Sequence, residues 1–299
     1  MVTATFSIEA DVTLMGEALE RRLALPVGLL AALENFRAES EPTGCLLLRG
    51  LPVGDLPPTP AHPTEPTAKG LSTERLLLAI AACLGEPVGY RPEHGGSIVQ
   101  NIVPVPALAA RQTSTSSKVE LMFHTEAAFH PHRPRYLLLF CLRGDPAAET
   151  TISSIHAALP HLDQDTLDIL FQNRFRCAVD ESYLQGRENQ LGNPMAVLRG
   201  TRDRPRMVFD EDLMIGMDPE ADVALCALGQ ALTTHHGGVV LEAGDLVVLD
   251  NDVVVHGRSP FTPRFDGADR WLQRTFVVED LAASVNERSG RVITTVFGR

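Results

Sequence analysis

Residues 245–257 read DLVVLDNDVVVHG, and this stretch decides the fold. Valine and leucine fill most of its positions, and β-branched residues favour strands. We therefore expect one continuous apolar strand from Leu246 to Val255, ending at His256. The glycine that follows, Gly257, allows the backbone to turn away from a ligand held by the histidine.

Shorter apolar segments on both sides of this stretch predict further strands, at residues 97–103, 135–142, 175–179, 195–199, 206–209, 239–241 and 270–278. Helical spacing of leucines predicts helices at about 16–40 (broken at Pro26), 72–85, 156–173 and 219–235. Short strands thus dominate the centre, and helices precede or interrupt them. The pattern is typical of a mainly β protein with α decoration, that is, a jelly-roll core with flanking helices.

The 299 residues show no internal repeat, and we expect a single domain over residues 1–299. Residues 1–96 are predicted to form an N-terminal support of helices and a strand, and residues 97–280 the jelly-roll core. A polar stretch without periodicity, at about 104–118, predicts a flap. Residues 156–236, which carry two helices, are predicted to be an insertion into the core.

Composition excludes several classes of protein. Hydrophobic residues make up 44% and charged residues 21% of the chain, which is ordinary for a folded protein. The net charge of −12 repels a phosphate backbone and argues against a nucleic-acid partner. Apolar runs fall short of the ~20 residues that span a membrane. Five scattered cysteines favour reduced thiols, so we expect a cytoplasmic protein. Oligomeric state is left open.

A histidine and a carboxylate stand two residues apart at His124 and Glu126. On a strand this spacing places both side chains on one face, where they converge on one metal ion. With a second histidine they form the two-histidine-one-carboxylate triad, which leaves three positions open on iron(II). His256 is the best candidate for that second histidine. Alone, the triplet also fits an exposed strand with one polar face.

Two arginines on the last predicted strand strengthen the metal hypothesis. Arg270 and Arg274 share one face of that strand, about 13 Å apart at ~3.3 Å per residue. If that face is the face of His256, two guanidinium groups look into the metal cavity, and buried cations need anions. A dicarboxylate co-substrate would pair with one of them and the carboxylate of an amino acid with the other.

At this point the sequence resembles a known family, the clavaminate synthase-like (TauD-related) branch of the iron(II)- and 2-oxoglutarate-dependent oxygenases. That branch includes the asparagine and arginine β-hydroxylases of free amino acids. The resemblance is carried by residues 120–130 (ELMFHTEAAFH), 133–137 (RPRYL), 250–258 (DNDVVVHGR) and 270–274 (RWLQR). These blocks lie between about 85 and 280.

The resemblance implies a double-stranded β-helix core and the cofactors Fe(II), 2-oxoglutarate and O2. It implies that His124, Glu126 and His256 bind the iron, with no catalytic side chain beyond these ligands. Arg270, fourteen residues after the distal histidine, would hold the far carboxylate of 2-oxoglutarate, assisted by Thr151.

The resemblance also implies contacts with an amino acid substrate. Arg274 and Ser114 would meet its α-carboxylate, and Glu93 and Glu126 its amino group. Asp210 would meet its side chain, although Asp212, two residues later, fits that role equally.

A cavity with carboxylates at one end and Arg274 at the other suits a zwitterion with a positive side chain. We therefore expect hydroxylation of a free L-amino acid at its β or γ carbon, with release of succinate and CO2. Lysine or arginine is the favoured substrate, and citrulline or asparagine the neutral relative. An enzyme of this kind would supply building blocks for peptide natural products.

Three alternatives stay open at this stage. The amino acid could be attached to a carrier protein, although that would call for a basic docking patch. Two histidines and a glutamate also suit the zinc of a hydrolase, in which Arg270 would have no dicarboxylate to bind. The third alternative is a binding module that has kept the fold without activity.

Overall fold

The computed structural model describes residues 8–298, with side chains from Thr13 onward. Within this range the helices, in chain order, are α1 (Ile8–Arg22), α2 (Val27–Ala38), α3 (Ser72–Leu84), α4 (Ile155–Ala158), α5 (Gln164–Leu170), α6 (Glu181–Leu184) and α7 (Pro219–Thr234). Short 3₁₀ turns lie at His94–Gly96, Pro106–Leu108 and Leu159–His161.

The strands, in the same order, are β1 (Cys45–Leu48), β2 (Glu86–Tyr90), β3 (Gln100–Ile102), β4 (Leu121–His124), β5 (Tyr136–Arg143), β6 (Glu149–Ser154), β7 (Phe175–Cys177), β8 (Leu198–Gly200), β9 (Pro205–Met207), β10 (Met214–Gly216), β11 (Gly237–Val240), β12 (Leu246–Asp250), β13 (Val254–Arg258), β14 (Trp271–Val278), β15 (Arg288–Ser289) and β16 (Val292–Ile293).

Two sheets form the core of the described residues. The larger has eight strands in the order β1-β12-β5-β14-β2-β16-β15, with β3 also paired to β14. The smaller has four strands in the order β11-β6-β13-β4. The observed mainly β architecture with surrounding helices agrees with the fold class predicted from the sequence.

The predicted continuous strand up to His256 is wrong. The chain leaves the larger sheet at Asp250, turns, and enters the smaller sheet at Val254. Short polar residues make the turn, because the Asp250 side chain accepts a hydrogen bond from the Asp252 amide at 3.1 Å and the Asp250 carbonyl accepts one from Val253 at 2.9 Å. The segment thus links the two sheets and brings His256 to the smaller one.

Strand β5 shows how the layers are held together. Leu137 and Leu139 are buried in a cluster with side chains of the smaller sheet, including Phe123. Their neighbours Leu138 and Phe140 point to the other face and pack with α2 and α3. A strand that is apolar from Leu137 to Leu142 is therefore covered on both faces, as period two requires. Helices α2 and α3, the larger sheet and the smaller sheet thus lie in three successive layers.

The larger sheet is not confined to the predicted core of residues 97–280. Strands β1 and β2, from the predicted N-terminal support, pair with β12 and β14. After residue 280, β16 adds a parallel strand beside β2. Within the predicted insertion, β7 pairs with β10 and β8 with β9. No helix in residues 8–298 has both the length and the apolar character needed to cross a bilayer.

Candidate metal centre

His124 and His256 face each other across two neighbouring strands. They are directly paired in the antiparallel register of β4 and β13, and their ring centres lie 4.3 Å apart. The Glu126 carboxylate completes the group, with Oε2 3.7 Å from Nε2 of His256. One donor atom from each residue lies within 4.8 Å of the other two. The three residues predicted as metal ligands therefore meet at one point.

Glu126 reaches this point by a different route from the one expected. Strand β4 ends at His124, and Ala127 has a left-handed φ of 51°, so the two ligands do not share the face of one strand. The buried Asn251 side chain fixes the backbone of Glu126 instead. Its Oδ1 accepts from the Glu126 amide at 2.8 Å, and its Nδ2 donates to the carbonyls of Glu126 and Pro134 at 3.1 and 2.9 Å.

Both imidazoles suit metal binding. Nδ1 of His124 lies 2.9 Å from the carbonyl of Met122 and donates to it, which directs Nε2 toward the centre. Burial lowers the pKa of His256 well below its ordinary value, and the nearby His124 and Arg274 act in the same direction. His256 is therefore neutral at physiological pH, with a lone pair free for a metal.

A cavity of about 350 Å³ opens from the three ligands. Of the residues predicted to contact co-substrate or substrate, those that line it are Glu93, Ser114, Glu126, Asp210, Asp212, Arg270 and Arg274. Residues 62–64, which follow β1 in a long connection to α3, and residues 112–115 of the predicted flap also line it. Thr151 does not.

The placement of Thr151 corrects the sequence-based expectation. Thr151 is paired with Gly257 in the register of β6 and β13, whereas Thr150 is paired with Arg258 and shares the inward face with His256. Thr150 lines the cavity and is 2% exposed, and its hydroxyl has no hydrogen-bond partner in residues 8–298. The threonine available to a ligand is therefore Thr150.

Gly257 has a different role from the one predicted. Strand β13 does not turn at Gly257 but continues to Arg258. A Cβ at position 257 would lie 2.4 Å from the carbonyl oxygen of Leu121 and 2.9 Å from Oγ1 of Thr151. Glycine therefore lets β4 and β6 approach β13 closely, which keeps the two histidines opposite each other.

Arg270 is a buried cation without an anion. It is 6% exposed, and no carboxylate of the described chain lies within ion-pair distance of its guanidinium group. Burial lowers its pKa, although a guanidinium stays charged at neutral pH. An unpaired buried charge is costly, so this position is suited to an acidic ligand.

Arg274 is paired internally. Its Nη2 donates to Glu93 at 3.0 Å and to Gln100 at 2.6 Å, and its Nη1 lies 3.5 Å from Glu126. Burial raises the pKa of Glu93 to about 7 although Arg274 opposes the change. Glu93 thus titrates near neutral pH, and a cation placed beside it would favour its charged form.

Asp210 and Asp212, the two candidates for contact with the substrate side chain, lie in different environments. Asp210 is 7% exposed, and its backbone forms an isolated antiparallel β-bridge with that of His124. Its Oδ1 accepts hydrogen bonds from the Asp212 and Leu213 amides at 3.0 and 2.8 Å. Burial raises its pKa to about 6, against the opposing effect of His124. Asp212 lines the same cavity but is exposed. Asp210 therefore lies near the metal ligands, and Asp212 on the solvent side.

Sequence reasoning assigned no role to Asn251, Thr150 or Arg258. Asn251 and Arg258 lie in the quoted block 250–258, but only the fold shows what they touch. Thr150 is the inward residue of a pair of identical neighbours, and the alternation of β6 would have identified it had that strand been predicted. Nor did sequence reasoning assign a role to the proline-rich residues 51–70, in which Thr59 is 9% exposed and Pro63 lines the cavity.

The residues present fit Fe(II) and a keto dicarboxylate. Two neutral imidazoles and one carboxylate are the ligand set of non-haem iron, and they leave positions open for other ligands. The free guanidinium of Arg270 and the unpartnered hydroxyl of Thr150 supply a cation and a donor for a carboxylate in the same cavity.

Comparison with known proteins agrees with this geometry. Residues 41–276 match the family described as taurine catabolism dioxygenase TauD, TfdA family. The chain is 39% identical over 280 residues to an L-lysine 3-hydroxylase of Catenulispora acidiphila, covering 91% of this chain and 78% of that protein.

Two solved structures are also similar. Asparagine oxygenase in complex with Fe(II), 2S,3S-3-hydroxyasparagine and succinate superposes with a TM-score of 0.87 at 37% identity, covering 93% of this chain and 88% of that one. The non-heme iron oxygenase OrfP in complex with Fe and α-ketoglutaric acid superposes with a TM-score of 0.86 at 32% identity, covering 97% and 93%.

Proposed function

Because the chain belongs to the taurine catabolism dioxygenase TauD, TfdA family, we propose that it hydroxylates a free L-amino acid at the β or γ carbon. The reaction consumes 2-oxoglutarate and O2 and releases succinate and CO2 with the hydroxylated amino acid. The observation that carries the proposal is an unpaired arginine, Arg270, in one cavity with the His124, Glu126 and His256 group. A zinc hydrolase would give that arginine nothing to bind. The two-sheet core of the described residues supports the proposal that the fold is the double-stranded β-helix expected for this family.

His124, Glu126 and His256 would hold Fe(II), which, with 2-oxoglutarate bound, supplies the power to activate O2 and oxidise a C–H bond. The side chains of the protein orient the co-substrate and keep water away from it. Arg270 pairs with the far carboxylate of the co-substrate, and the hydroxyl of Thr150 donates to it. Leu139 and Leu272 line the same cavity and keep water away from this end.

The amino and carboxyl groups of the substrate find complementary partners beside the metal ligands. Arg274 binds the α-carboxylate, and Glu93, now paired with Arg274, binds the α-ammonium together with Glu126. Ser114, on the flap, adds a hydroxyl to the carboxylate. One end of the amino acid is thus fixed, so that its β and γ carbons extend toward the centre.

The charge of the cavity favours a basic side chain. Five carboxylates line it, from Glu93, Glu126, Asp180, Asp210 and Asp212, against three guanidinium groups, from Arg258, Arg270 and Arg274. Fe(II) and a dicarboxylate cancel in charge, so the loaded cavity stays negative. Lysine, arginine or ornithine would reduce this imbalance, whereas citrulline or asparagine would rely on hydrogen bonds alone.

A screen of succinate release across the free amino acids tests the function, with product mass analysis to count the oxygen atoms added. We expect turnover with basic amino acids and a gain of one oxygen in the product. Asp210→Asn and Asp212→Asn, made separately, should weaken the binding of a basic substrate at least tenfold in one of them, since a charged hydrogen bond contributes ~1.5–3 kcal/mol. No succinate above background with any amino acid would reject the proposal.

A further inference from the structure

Arg258 is a second arginine at the same end of the cavity as Arg270. It stands two residues after His256 on β13, so the two side chains share a face, and it is 3% exposed. The guanidinium carbon of Arg258 lies 4.9 Å from the centre of the Phe261 ring, and that of Arg270 lies 6.0 Å from the same ring. Two positive groups thus flank one aromatic side chain.

The charge of Arg258 is also uncompensated. In residues 8–298 no carboxylate lies within ion-pair distance of its guanidinium group. Burial and the neighbouring Arg270 lower the pKa of Arg258 to about 10, which leaves it positive at neutral pH. The co-substrate end of the cavity therefore carries two like charges, and a bound dianion would relieve both.

The donors of Arg258 hold the end of the flap. Nη2 donates to Oγ of Ser116 at 2.9 Å and to the carbonyl of Val119 at 3.2 Å, and Nη1 donates to the carbonyl of Ser117 at 3.4 Å. The Phe261 amide donates to the same Ser117 carbonyl at 2.8 Å. Arg258 and Phe261, at the co-substrate end of the cavity, thus fix residues 116–119 at the end of the flap.

The flap connects this end of the cavity to the amino acid end. Ser114, which lines the cavity, lies two residues before Ser116, and the Ser116 amide donates to the carbonyl of Thr113 at 3.0 Å in a tight turn. A change in how firmly Arg258 holds residues 116–119 is therefore transmitted to Ser114, which is only two residues from Ser116.

We propose that Arg258 is a positioning residue that couples binding of the 2-oxoglutarate dianion to closure of the flap over the amino acid site. The proposal rests on the proposed function for the identity of the dianion. When the anion is bound, the charge of Arg258 is compensated and its guanidinium stays in place, so the three flap oxygens keep their donors. Without the anion, repulsion from Arg270 loosens this arrangement. Co-substrate binding should then tighten amino acid binding.

Limited proteolysis tests the coupling without an amino acid. The protein, loaded with Fe(II) in the absence of oxygen, is digested with trypsin with and without saturating 2-oxoglutarate. Cleavage after Arg111 and Lys118, both exposed on the flap, is followed by mass spectrometry. Because coupling between two sites is typically 5- to 150-fold, we expect 2-oxoglutarate to slow cleavage after Lys118 about tenfold in the wild type.

Three variants give the comparison. Arg258→Gln should still bind 2-oxoglutarate through Arg270, as measured by calorimetry, but show less than twofold protection. Arg258→Lys should also lose most of the protection, because one ammonium group cannot reach three flap oxygens. Should Arg258→Gln not fold, Arg258→Lys takes its place in the comparison. Arg264→Gln, in the same turn but exposed and paired with Asp266 at 3.0 Å, should behave as wild type.

Full protection in Arg258→Gln at saturating 2-oxoglutarate, or no protection in the wild type, would overturn the coupling. A failed amino acid screen would reject the proposed substrate class and leave this result untouched. Conversely, a wild-type protein that hydroxylates an amino acid but gains no protection from 2-oxoglutarate would reject only the role of Arg258.

Discussion

Replacing Asn251 by alanine is the most direct test of how the metal site is built. The side chain makes three hydrogen bonds, to the amide and carbonyl of Glu126 and to the carbonyl of Pro134, and it is 2% exposed. At ~1 kcal/mol net for each bond, Asn251→Ala should lower the free energy of unfolding by about 3 kcal/mol. The buried backbone groups left without partners act in the same direction.

The consequence for the metal is separate from the loss of stability. Without Asn251, the backbone of Glu126 is free to rotate between the end of β4 and the left-handed Ala127. Residues that orient a metal ligand typically contribute 10- to 100-fold to affinity, so we expect Fe(II) to bind at least about tenfold more weakly. Urea unfolding gives the stability, and anaerobic equilibrium dialysis gives the affinity.

Asn189, an exposed residue, offers a control with a similar hydrogen-bonding pattern. Its side chain holds the backbone of Val179 in the same way, accepting from the amide at 3.1 Å and donating to the carbonyl at 2.7 Å. Asn189→Ala should cost stability without changing Fe(II) affinity. Should Asn251→Ala not fold, Asn251→Asp keeps the acceptor for the Glu126 amide and loses both donors. Unchanged Fe(II) affinity in a folded Asn251 variant would refute the reasoning.

Three further predictions follow from single side chains. Thr150→Val should raise the KM for 2-oxoglutarate about tenfold in succinate-release assays, while Thr151→Val should leave it unchanged; equal effects would contradict the register of β6. Arg270→Met should raise the unfolding temperature of the metal-free protein, because a buried unpaired charge is removed, and should abolish further stabilisation by 2-oxoglutarate; a lower unfolding temperature would count against the charge being unpaired. Burial lowers the pKa of His130 to about 3, below the ~6.5 of an unfolded histidine, so its neutral form supports folding above pH 6.5 and this contribution is lost as the pH falls. Between pH 7 and pH 4 the free energy of unfolding, measured with urea, should therefore fall by roughly 3 kcal/mol less in His130→Asn than in the wild type. The same pH dependence in both proteins would show that His130 is not responsible.

The grouping of His124, Glu126 and His256, and the presence of Arg270 in the same cavity, could be predicted because their signal lies in residue type and spacing. His124, Glu126 and His256 stand in distinctive neighbourhoods, and Arg270 follows the distal histidine at a family-specific distance. The way in which they meet could not be predicted. The turn after Asp250 and the departure of Glu126 from β4 both depend on side-chain contacts with distant backbone, which spacing along the chain does not encode.

Thr150 and Thr151 show a second limit. Two identical neighbours differ only in the face of the strand on which they lie, and a shift of one residue exchanges the two faces. β6 pairs with β13 and β11, and these partners set which threonine faces inward. Sequence spacing pointed to this segment but could not tell which of its two threonines lines the cavity, because strand pairing is a property of the tertiary structure.

The pairing of His124 with His256 has a consequence for how the protein is made. The two strands that carry them are far apart in the chain, so a nascent polypeptide on the ribosome cannot offer a complete iron site until β13 has been synthesised and has found β4 in the correct register. Contacts of such long sequence separation form slowly, since the loop between them must first be closed. Iron bound between these two strands would stabilise the folded protein. In cells short of iron, a larger fraction of the protein would then be unfolded and open to degradation.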